Sequence, residues 1–149
     1  MRAVVTRVKS AAVTRSGTEE VLGSIQKGFL VLLGVHVDDT AAQADKIADR
    51  ICGLRVFEDE NGKMNVSPTD ARAELLIVSQ FTLWADCRSR RPGFTAAARP
   101  ETAVPLYERV IELCRQRGFR VETGEFGADM QVASVNDGPV TIILDTREL

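Results

Sequence analysis

Gly28-Phe29-Leu30-Val31-Leu32-Leu33-Gly34-Val35 is the stretch of sequence that decides the fold. An apolar run of this length, opened by a glycine, is typical of a strand that other elements cover on both faces. It is far below the ~18 residues that a membrane span needs. The run therefore predicts a central strand in a sheet that is packed on both sides.

Segments with the composition of strands lie on either side of this run. A strand over 3–8 is expected to continue past a bend at Lys9-Ser10, and Asn61-Gly62 is a strong hairpin signal. The remaining predicted strands cover residues 11–14, 21–25, 74–79, 119–123, 130–135 and 140–144.

Two helices are predicted between these strands. Asp38-Asp39-Thr40 supplies N-cap side chains, and apolar residues at helical spacing follow over 41–54. The second helix is expected to begin near Thr102, with Pro105 in its first turn, and to end at Gly118.

These elements predict an α+β fold. We expect a single domain over residues 1–149, in which a curled, mostly antiparallel, barrel-like sheet of about six or seven strands is covered by two helices. The 149 residues and 16.3 kDa are the usual size of one domain, and 44% hydrophobic with 27% charged residues is an ordinary globular composition.

The counts of histidine and cysteine exclude several kinds of site. His36 is the only histidine, so a multi-histidine metal site is impossible within one chain. Cys52, Cys87 and Cys114 form no CxxC pair, which argues against a disulfide framework or a zinc site. We expect no metal and no cofactor, and a reducing, cytoplasmic location without a targeting or transmembrane segment.

Charge is distributed unevenly along the chain. The net charge of -2 excludes a highly basic protein that coats nucleic acid. Residues 86–120 nevertheless hold eight arginines against four acids. This segment is either a solvated face or a surface for phosphates built from Arg88, Arg90 and Arg91, since the planar guanidinium holds two phosphate oxygens at once.

Ser79-Gln80-Phe81-Thr82-Leu83 stands at the end of a predicted strand and leads into a loop broken by proline. A strand end of this kind directs main-chain N–H groups toward a ligand, and two hydroxyls and an amide lie within four residues. By itself the segment also fits an ordinary strand made of good β-formers.

Asn136-Asp137-Gly138-Pro139-Val140 allows two interpretations. It is a tight turn that joins two strands, or it contains a cis Gly-Pro peptide bond. Only about 5–6% of X–Pro bonds in folded proteins are cis, so the residues alone favour the turn.

Taken together and in order, these segments resemble the D-aminoacyl-tRNA deacylase family, in the form found in bacteria. The resemblance covers essentially the whole chain. Its most specific parts are SQFTL at 79–83, RRPGF at 90–94, FGADMQV at 126–132 and NDGPVT at 136–141, supported by VTRV at 5–8, VLLGV at 31–35, FEDE at 57–60 and KMN at 63–65. The loop between Cys87 and Arg90 is shorter than the family's usual basic form.

The resemblance implies a homodimer with its active sites at the subunit interface. Such an enzyme hydrolyses the ester between a D-amino acid and the terminal adenosine of tRNA. The matching motif at Gly138 and Pro139 is cis in the family and enters the partner's site, and Arg7 holds that motif in place. Glycyl-tRNA is expected to be a substrate as well, because glycine has no side chain to exclude.

The resemblance also assigns the remaining site residues. Ser79, Gln80, Phe81 and Thr82 line the pocket, with main-chain N–H groups of the Gln80–Phe81 stretch near the scissile carbonyl. The adenosine is bordered by Phe126 and Met130. Thr82 is either a nucleophile or a residue that only positions the substrate. The favoured mechanism has the 2′-hydroxyl of the tRNA assist, with no essential protein side chain.

Two other functions fit parts of the sequence. A non-catalytic protein that binds RNA 3′ ends would use a nucleotide pocket and the loop that carries Arg88, Arg90 and Arg91, here called the arginine-rich loop. A small-molecule esterase or thioesterase would use Ser79 or Cys87 as its nucleophile, although no G-x-S-x-G elbow is present.

Overall fold

The structure is a computed structural model that describes residues 1–149. Two α-helices, a short 3-10 helix and eight strands follow one another along the chain. They are β1 (Arg2–Arg15), β2 (Val21–Ile25), β3 (Gly28–Gly34), α1 (Ala41–Gly53), β4 (Phe57–Glu58), β5 (Met64–Val66), β6 (Glu74–Ser79), the 3-10 helix (Phe81–Trp84), α2 (Pro100–Gln116), β7 (Val121–Thr123) and β8 (Met130–Asp145). Neither α-helix has the length and apolar character that crossing a bilayer requires.

Six of the strands form one mixed sheet in the order β2-β1-β3-β6-β7, with β8 paired to β1. The pairs that β1 makes with β2, β3 and β8 are antiparallel, as the sequence predicted. The pairs β3–β6 and β6–β7 are parallel, because each connection between them crosses over through a helix. The predicted α+β class and the barrel-like sheet covered by two helices are therefore confirmed.

The sheet is nearly closed where β2 approaches β7. A Cβ atom on Gly23 would lie 2.5 Å from the main-chain oxygen of Thr123, so only glycine permits this approach. Apolar side chains fill the inside of the curl, and the two helices cover the other face over a larger core. The inner cluster consists of Val8, Ala11, Val13, Ile25, Leu30, Leu76 and Val78.

The helix boundaries agree with the local sequence signals at α1 and differ from them at the start of α2. Thr40 caps α1 through a capping box with Gln43, as its position predicted. Helix α2 begins at Pro100 rather than near Thr102, so Pro105 lies inside the helix and not in its first turn. A proline at the first helical position has the φ that a helix needs, and it starts α2 earlier than the threonine suggested.

Strand β8 runs without interruption through the segment that the sequence left open as a turn. Its register against β1 shifts between Thr6 and Val8, where Thr6 faces Thr141 and Val8 faces Asn136. The extra residues bulge out of the ladder, and the Asn136 side chain accepts a hydrogen bond of 2.9 Å from the Val140 N–H. The Gly138–Pro139 peptide bond inside this bulge is cis.

Asp145 ties the end of β8 to the start of β1. Its buried carboxylate accepts hydrogen bonds from Arg2 Nε at 3.0 Å and Arg147 Nη2 at 2.8 Å. Hydrogen bonds from the Arg147 guanidinium, which has the larger effect, and from Arg2 hold the pKa of the Asp145 carboxyl well below its ordinary value.

Replacing Asp145 by asparagine is expected to lower the free energy of unfolding at pH 7 by roughly 1.5–3 kcal/mol, the usual worth of hydrogen bonds to a charged group. Because the folded-state pKa is depressed, this stabilisation is complete above the ordinary carboxyl pKa of about 4 and decreases progressively as the pH falls from there through the depressed folded-state pKa. Urea unfolding at pH 7 and pH 3 measures the gap between wild type and variant. A gap of equal size at both pH values would contradict the assignment.

Candidate active site

A cavity of about 300 Å³ opens at the carboxyl end of β6. One wall is the strand end and the residues after it, Ser79, Gln80 and Phe81. The topology explains the other wall. Because β7 runs parallel to β6 and pairs Thr123 with Ile77, the chain after β7 continues past the end of β6. The rest of the cavity is lined by Val78, Phe126, Gly127, Ala128, Asp129, Met130 and Val132.

Two main-chain N–H groups at the start of the 3-10 helix have no hydrogen-bond partner within the chain. One belongs to Phe81, which lines the cavity, and the other to Thr82, which follows Phe81 but, contrary to the prediction, is not part of the lining. The Gln80 N–H, by contrast, donates to the Leu33 carbonyl at 2.8 Å. Within the predicted Gln80–Phe81 stretch, the N–H of Phe81 is therefore free to bind a ligand, whereas the Gln80 N–H extends the ladder between β6 and β3.

Thr82 has no base beside its hydroxyl. Its Oγ1 accepts a hydrogen bond of 2.6 Å from the side-chain amide of Gln80. A hydroxyl that accepts from an amide is not activated by it, since activation requires a group that takes the proton. His36 is not part of the cavity lining: its Nδ1 accepts from the Asp38 N–H at 3.1 Å, and its ring packs edge-on against Trp84.

The wall over 124–130 is attached to the turn after β1. Arg15 forms ion pairs with Glu20 and Glu125, and the Ser16 N–H donates to the Asp129 carbonyl at 3.0 Å. Asp129 is also the only ionisable residue of the cavity lining. Asp129 was not among the predicted site residues, although a carboxyl within the 126–132 motif is a signal for one.

Arg7 and the Gly138–Pro139 segment lie apart from this cavity within the chain. Arg7 is only 5% exposed. Its Nε donates to the Asp137 carbonyl at 2.9 Å, and its Nη1 donates to the Val56 carbonyl at 2.7 Å. A Cβ on Gly138 would lie 3.2 Å from Arg7 Nη2, and its φ of +137° also favours glycine.

The strand register places Arg7 and the Gly138–Pro139 segment away from the predicted residues that line the cavity. Arg7 faces Phe29, whereas Ser79 faces Leu33, four residues further along β3. At the usual rise of a strand this is about 13 Å. One chain therefore brings Ser79, Gln80, Phe81, Phe126 and Met130 together, but it does not add Gly138 or Pro139 to them.

The arginine-rich loop adjoins the cavity through an aromatic contact. The Phe94 ring lies edge-on to Phe81 with 5.2 Å between centroids. Two hydrogen bonds between the main chains of Asp86 and Gly93, at 2.7 and 3.0 Å, close the loop at its base.

Arg88 pairs with Asp86 and lowers the pKa of that carboxyl to about 2, whereas Arg90 and Arg91 form no ion pair. Arg90 and Arg91 are thus the free cations of the predicted phosphate surface.

None of the three cysteines lines the cavity. Cys52 and Cys114 are buried between α1 and α2 with their sulfur atoms 3.6 Å apart. The hydrogen bond with Cys52, together with burial, raises the pKa of the Cys114 thiol and keeps it protonated. Cys87 is exposed on the arginine-rich loop. The structure also contains no cluster of three or more histidine, cysteine or acidic side chains placed to hold a metal ion.

Comparison with solved structures identifies the fold class. The chain superimposes on the c-Myc DNA unwinding element binding protein with a TM-score of 0.89 and 42% identity, over 97% of this chain and 98% of the other. A probable eukaryotic D-amino acid tRNA deacylase has the same fold, with a TM-score of 0.84 at 15% identity over 96% and 97% of the two chains. The nearly closed mixed sheet under two helices is therefore the fold of the tRNA deacylases.

The sequence comparisons identify the family. The model of the D-Tyr-tRNA(Tyr) deacylase family matches residues 4–145, and the chain belongs to this family. Proteins named D-aminoacyl-tRNA deacylase from Geobacillus sp. (strain WCH70) and Clostridioides difficile (strain 630) are each 55% identical over 149 residues. These alignments cover 99% of this chain and 97% and 99% of the relatives. The relative of the same name from Thermotoga petrophila is 53% identical, over 100% of this chain and 99% of its own.

Proposed function

We propose that the protein hydrolyses the ester bond of D-aminoacyl-tRNA and releases a free D-amino acid and tRNA. One observation carries the proposal: in a chain that belongs to a deacylase family, the N–H groups of Phe81, which lines the cavity, and of the next residue, Thr82, have no partner. Two donors of this kind hold the oxygen of an ester carbonyl and stabilise the charge that it gains during hydrolysis.

The substrate is placed by the two walls of the cavity. The terminal adenosine lies against Phe126 and Met130, and the ester carbonyl lies at the N–H groups of Phe81 and Thr82. The aminoacyl group extends beyond Ser79. An enzyme that accepts many D side chains cannot depend on contacts with those side chains. It must recognise the amino group, the Cα atom and the carbonyl, which all of its substrates share. Rigid main-chain atoms suit this task.

A second subunit completes the site. Strand β8 is an edge strand over its whole length, because it pairs with β1 only. Its outer residues include Val132, Val135 and Ile143, which are 41%, 53% and 73% exposed. A long apolar edge of this kind favours association with another chain. In the homodimer that this edge forms, Gly138 and Pro139 of the partner subunit enter the cavity and occupy the space that an L side chain would need.

The hydrolysis needs no protein base. The oxygen of a water molecule adds to the ester carbonyl carbon, the bond to the ribose 3′-oxygen breaks, and a water proton passes to that oxygen with the neighbouring 2′-hydroxyl assisting. Each main-chain donor to the oxyanion is worth about 10²–10³ in rate. Because aminoacyl esters are already activated, the Phe81 and Thr82 donors are the main contribution of the protein.

The substitutions Thr82→Ala and His36→Ala test this mechanism. Thr82→Ala keeps its N–H, so it is expected to retain activity within about tenfold of wild type, and His36→Ala within a smaller factor. Single-turnover rates on D-tyrosyl-tRNA, with folding verified by circular dichroism, provide the measurement. Complete loss of turnover in Thr82→Ala would instead identify its hydroxyl as the nucleophile.

Arg90 and Arg91 are the residues that meet the tRNA backbone. They lie on the loop that contacts Phe81 through Phe94, and neither is neutralised by an acid of the chain. Their guanidinium groups bind phosphates of the acceptor end once its terminal adenosine occupies the cavity. This contact adds affinity that depends on salt and does not depend on the amino acid.

The test of the function is the release of amino acid from matched D- and L-tyrosyl-tRNA. We expect the D-ester to be hydrolysed at least about tenfold faster, because the L-ester forfeits hydrogen bonds worth roughly 1–3 kcal/mol each and meets a steric clash. Glycyl-tRNA is expected to be cleaved, and L-alanyl-tRNA to be spared. Tight binding of uncharged tRNA without any release of amino acid would reject the enzyme and favour an RNA 3′-end binding protein.

A further inference from the structure

We infer that Arg2 is a positioning residue for this reaction, because it holds the far end of the 3-10 helix whose first two residues supply the oxyanion donors. The inference rests on the proposed function. Nothing in the sequence motifs marks Arg2, which precedes the strand residues that match the family.

Arg2 binds the 3-10 helix at two points. Its Nη1 donates to the Leu83 carbonyl at 3.0 Å, and its guanidinium carbon lies 3.9 Å from the centre of the Trp84 ring. A helix of four residues makes few hydrogen bonds of its own, so its position depends on contacts with the rest of the protein. Leu83 directly follows Thr82, so a displacement at this carbonyl reaches the Phe81 and Thr82 N–H groups.

Both ends of this contact are anchored. The buried Asp145 carboxylate accepts from Arg2 Nε at 3.0 Å and fixes the plane of the guanidinium. Trp84 is buried, and its Nε1 donates to the Gly34 carbonyl at the end of β3 at 3.0 Å. Arginine alone suits this place, since its flat fork binds the carbonyl and the carboxylate while it stacks on the indole ring.

The neighbouring Arg147 provides a matched control. Its guanidinium also binds Asp145 and lies 4.9 Å from the centre of the same Trp84 ring. It makes no hydrogen bond to the 3-10 helix. Loss of Arg147 therefore removes a similar ion pair and a similar ring contact, and it leaves the Leu83 carbonyl bound.

The effect expected of Arg2→Met is a loss in kcat of about tenfold or more with KM nearly unchanged, because a small misplacement of catalytic groups costs up to about 10²-fold. Arg147→Met is expected to keep kcat within about threefold of wild type at a similar loss of thermal stability. Arg2→Lys, which keeps one hydrogen-bond donor, should recover part of the rate.

In a Phe81→Pro background, Arg2→Met should lower kcat by a smaller factor than it does in wild type, since one of the N–H donors through which Arg2 acts is absent.

Equal kcat values for Arg2→Met and Arg147→Met, or a loss confined to KM, would overturn the inference. So would an undiminished effect of Arg2→Met in the Phe81→Pro background. The wild-type assay separates this failure from that of the proposed function: a wild-type protein that does not hydrolyse D-tyrosyl-tRNA rejects both, whereas an active wild type with unaffected Arg2 variants rejects the role of Arg2 alone.

Discussion

Replacing Phe81 by proline is expected to slow hydrolysis of D-tyrosyl-tRNA by about 10²–10³-fold relative to Phe81→Ala, because proline deletes one oxyanion donor and alanine keeps it. The substitution is compatible with the fold. The Phe81 N–H has no partner to lose, and proline is favoured at the first position of a helical turn. Gln80 has φ −146° and ψ 84°, outside the α region that a following proline disfavours.

The alanine variant isolates the donor from the ring. The Phe81 side chain is 53% exposed and touches Phe94, so both substitutions remove the same aromatic contact. Comparable kcat values for Phe81→Pro and Phe81→Ala, in proteins of equal thermal stability, would show that this N–H does not act in the reaction. Thr82 would then be the remaining candidate donor.

Replacing Arg7 by methionine is expected to reduce hydrolysis by about 10²-fold, because it releases the Asp137 carbonyl and with it the segment that carries Gly138 and Pro139. Methionine fills a similar volume and leaves no buried charge, but the Val56 carbonyl loses its donor at a cost of about 1–3 kcal/mol. Steady-state rates measured with unfolding curves separate the two effects. An active enzyme of lower stability would assign Arg7 to the fold alone.

Mixing the two defective proteins tests whether the site is shared between subunits. Phe81→Pro damages the cavity of its own chain, whereas Arg7→Met damages the segment donated to the partner. A mixed dimer then has one site with both defects and one site with neither. Random exchange of subunits is expected to restore about a quarter of wild-type activity, because half of the dimers are mixed and half of their sites are intact.

The outcome distinguishes the shared site from two alternatives. If each chain formed its own site, mixing would give no more than the mean of the two residual activities. A monomer would show the same result, and light scattering identifies it directly. Phe81→Pro mixed with the double variant Phe81→Pro/Arg7→Met is the control, since neither chain then supplies an intact cavity.

Much of the fold could be predicted because its signals are local. The capping box at Thr40, the Asn61-Gly62 turn and the apolar run at 28–35 each act within a few residues of the chain. The start of α2 was misplaced, because Pro100 and Thr102 are competing local signals two residues apart. The parallel half of the sheet could not be predicted, since strand order depends on which distant segments pair.

The site, like the fold, could be predicted from the sequence only in part. Ser79, Gln80, Phe81, Phe126 and Met130 could be proposed together, because they belong to motifs whose order resembles a known family, and the structure brings them to one cavity. The unpartnered donors could not be assigned to Phe81 and Thr82 from the sequence. Which N–H is free depends on the partner strand, and the Leu33 carbonyl of β3 takes that of Gln80.

The sequence by itself determined most of the elements, because local conformational preference is a property of short segments, and the order of its motifs, through their resemblance to a family, indicated residues of the cavity. Only the tertiary structure decided that β8 passes through Gly138–Pro139 as one strand, that Arg7 contacts this segment at the Asp137 carbonyl, and that both lie away from the cavity of their own chain. These facts follow from the register of β1 against β3 and β8, and register is fixed by packing between residues that are far apart in the sequence.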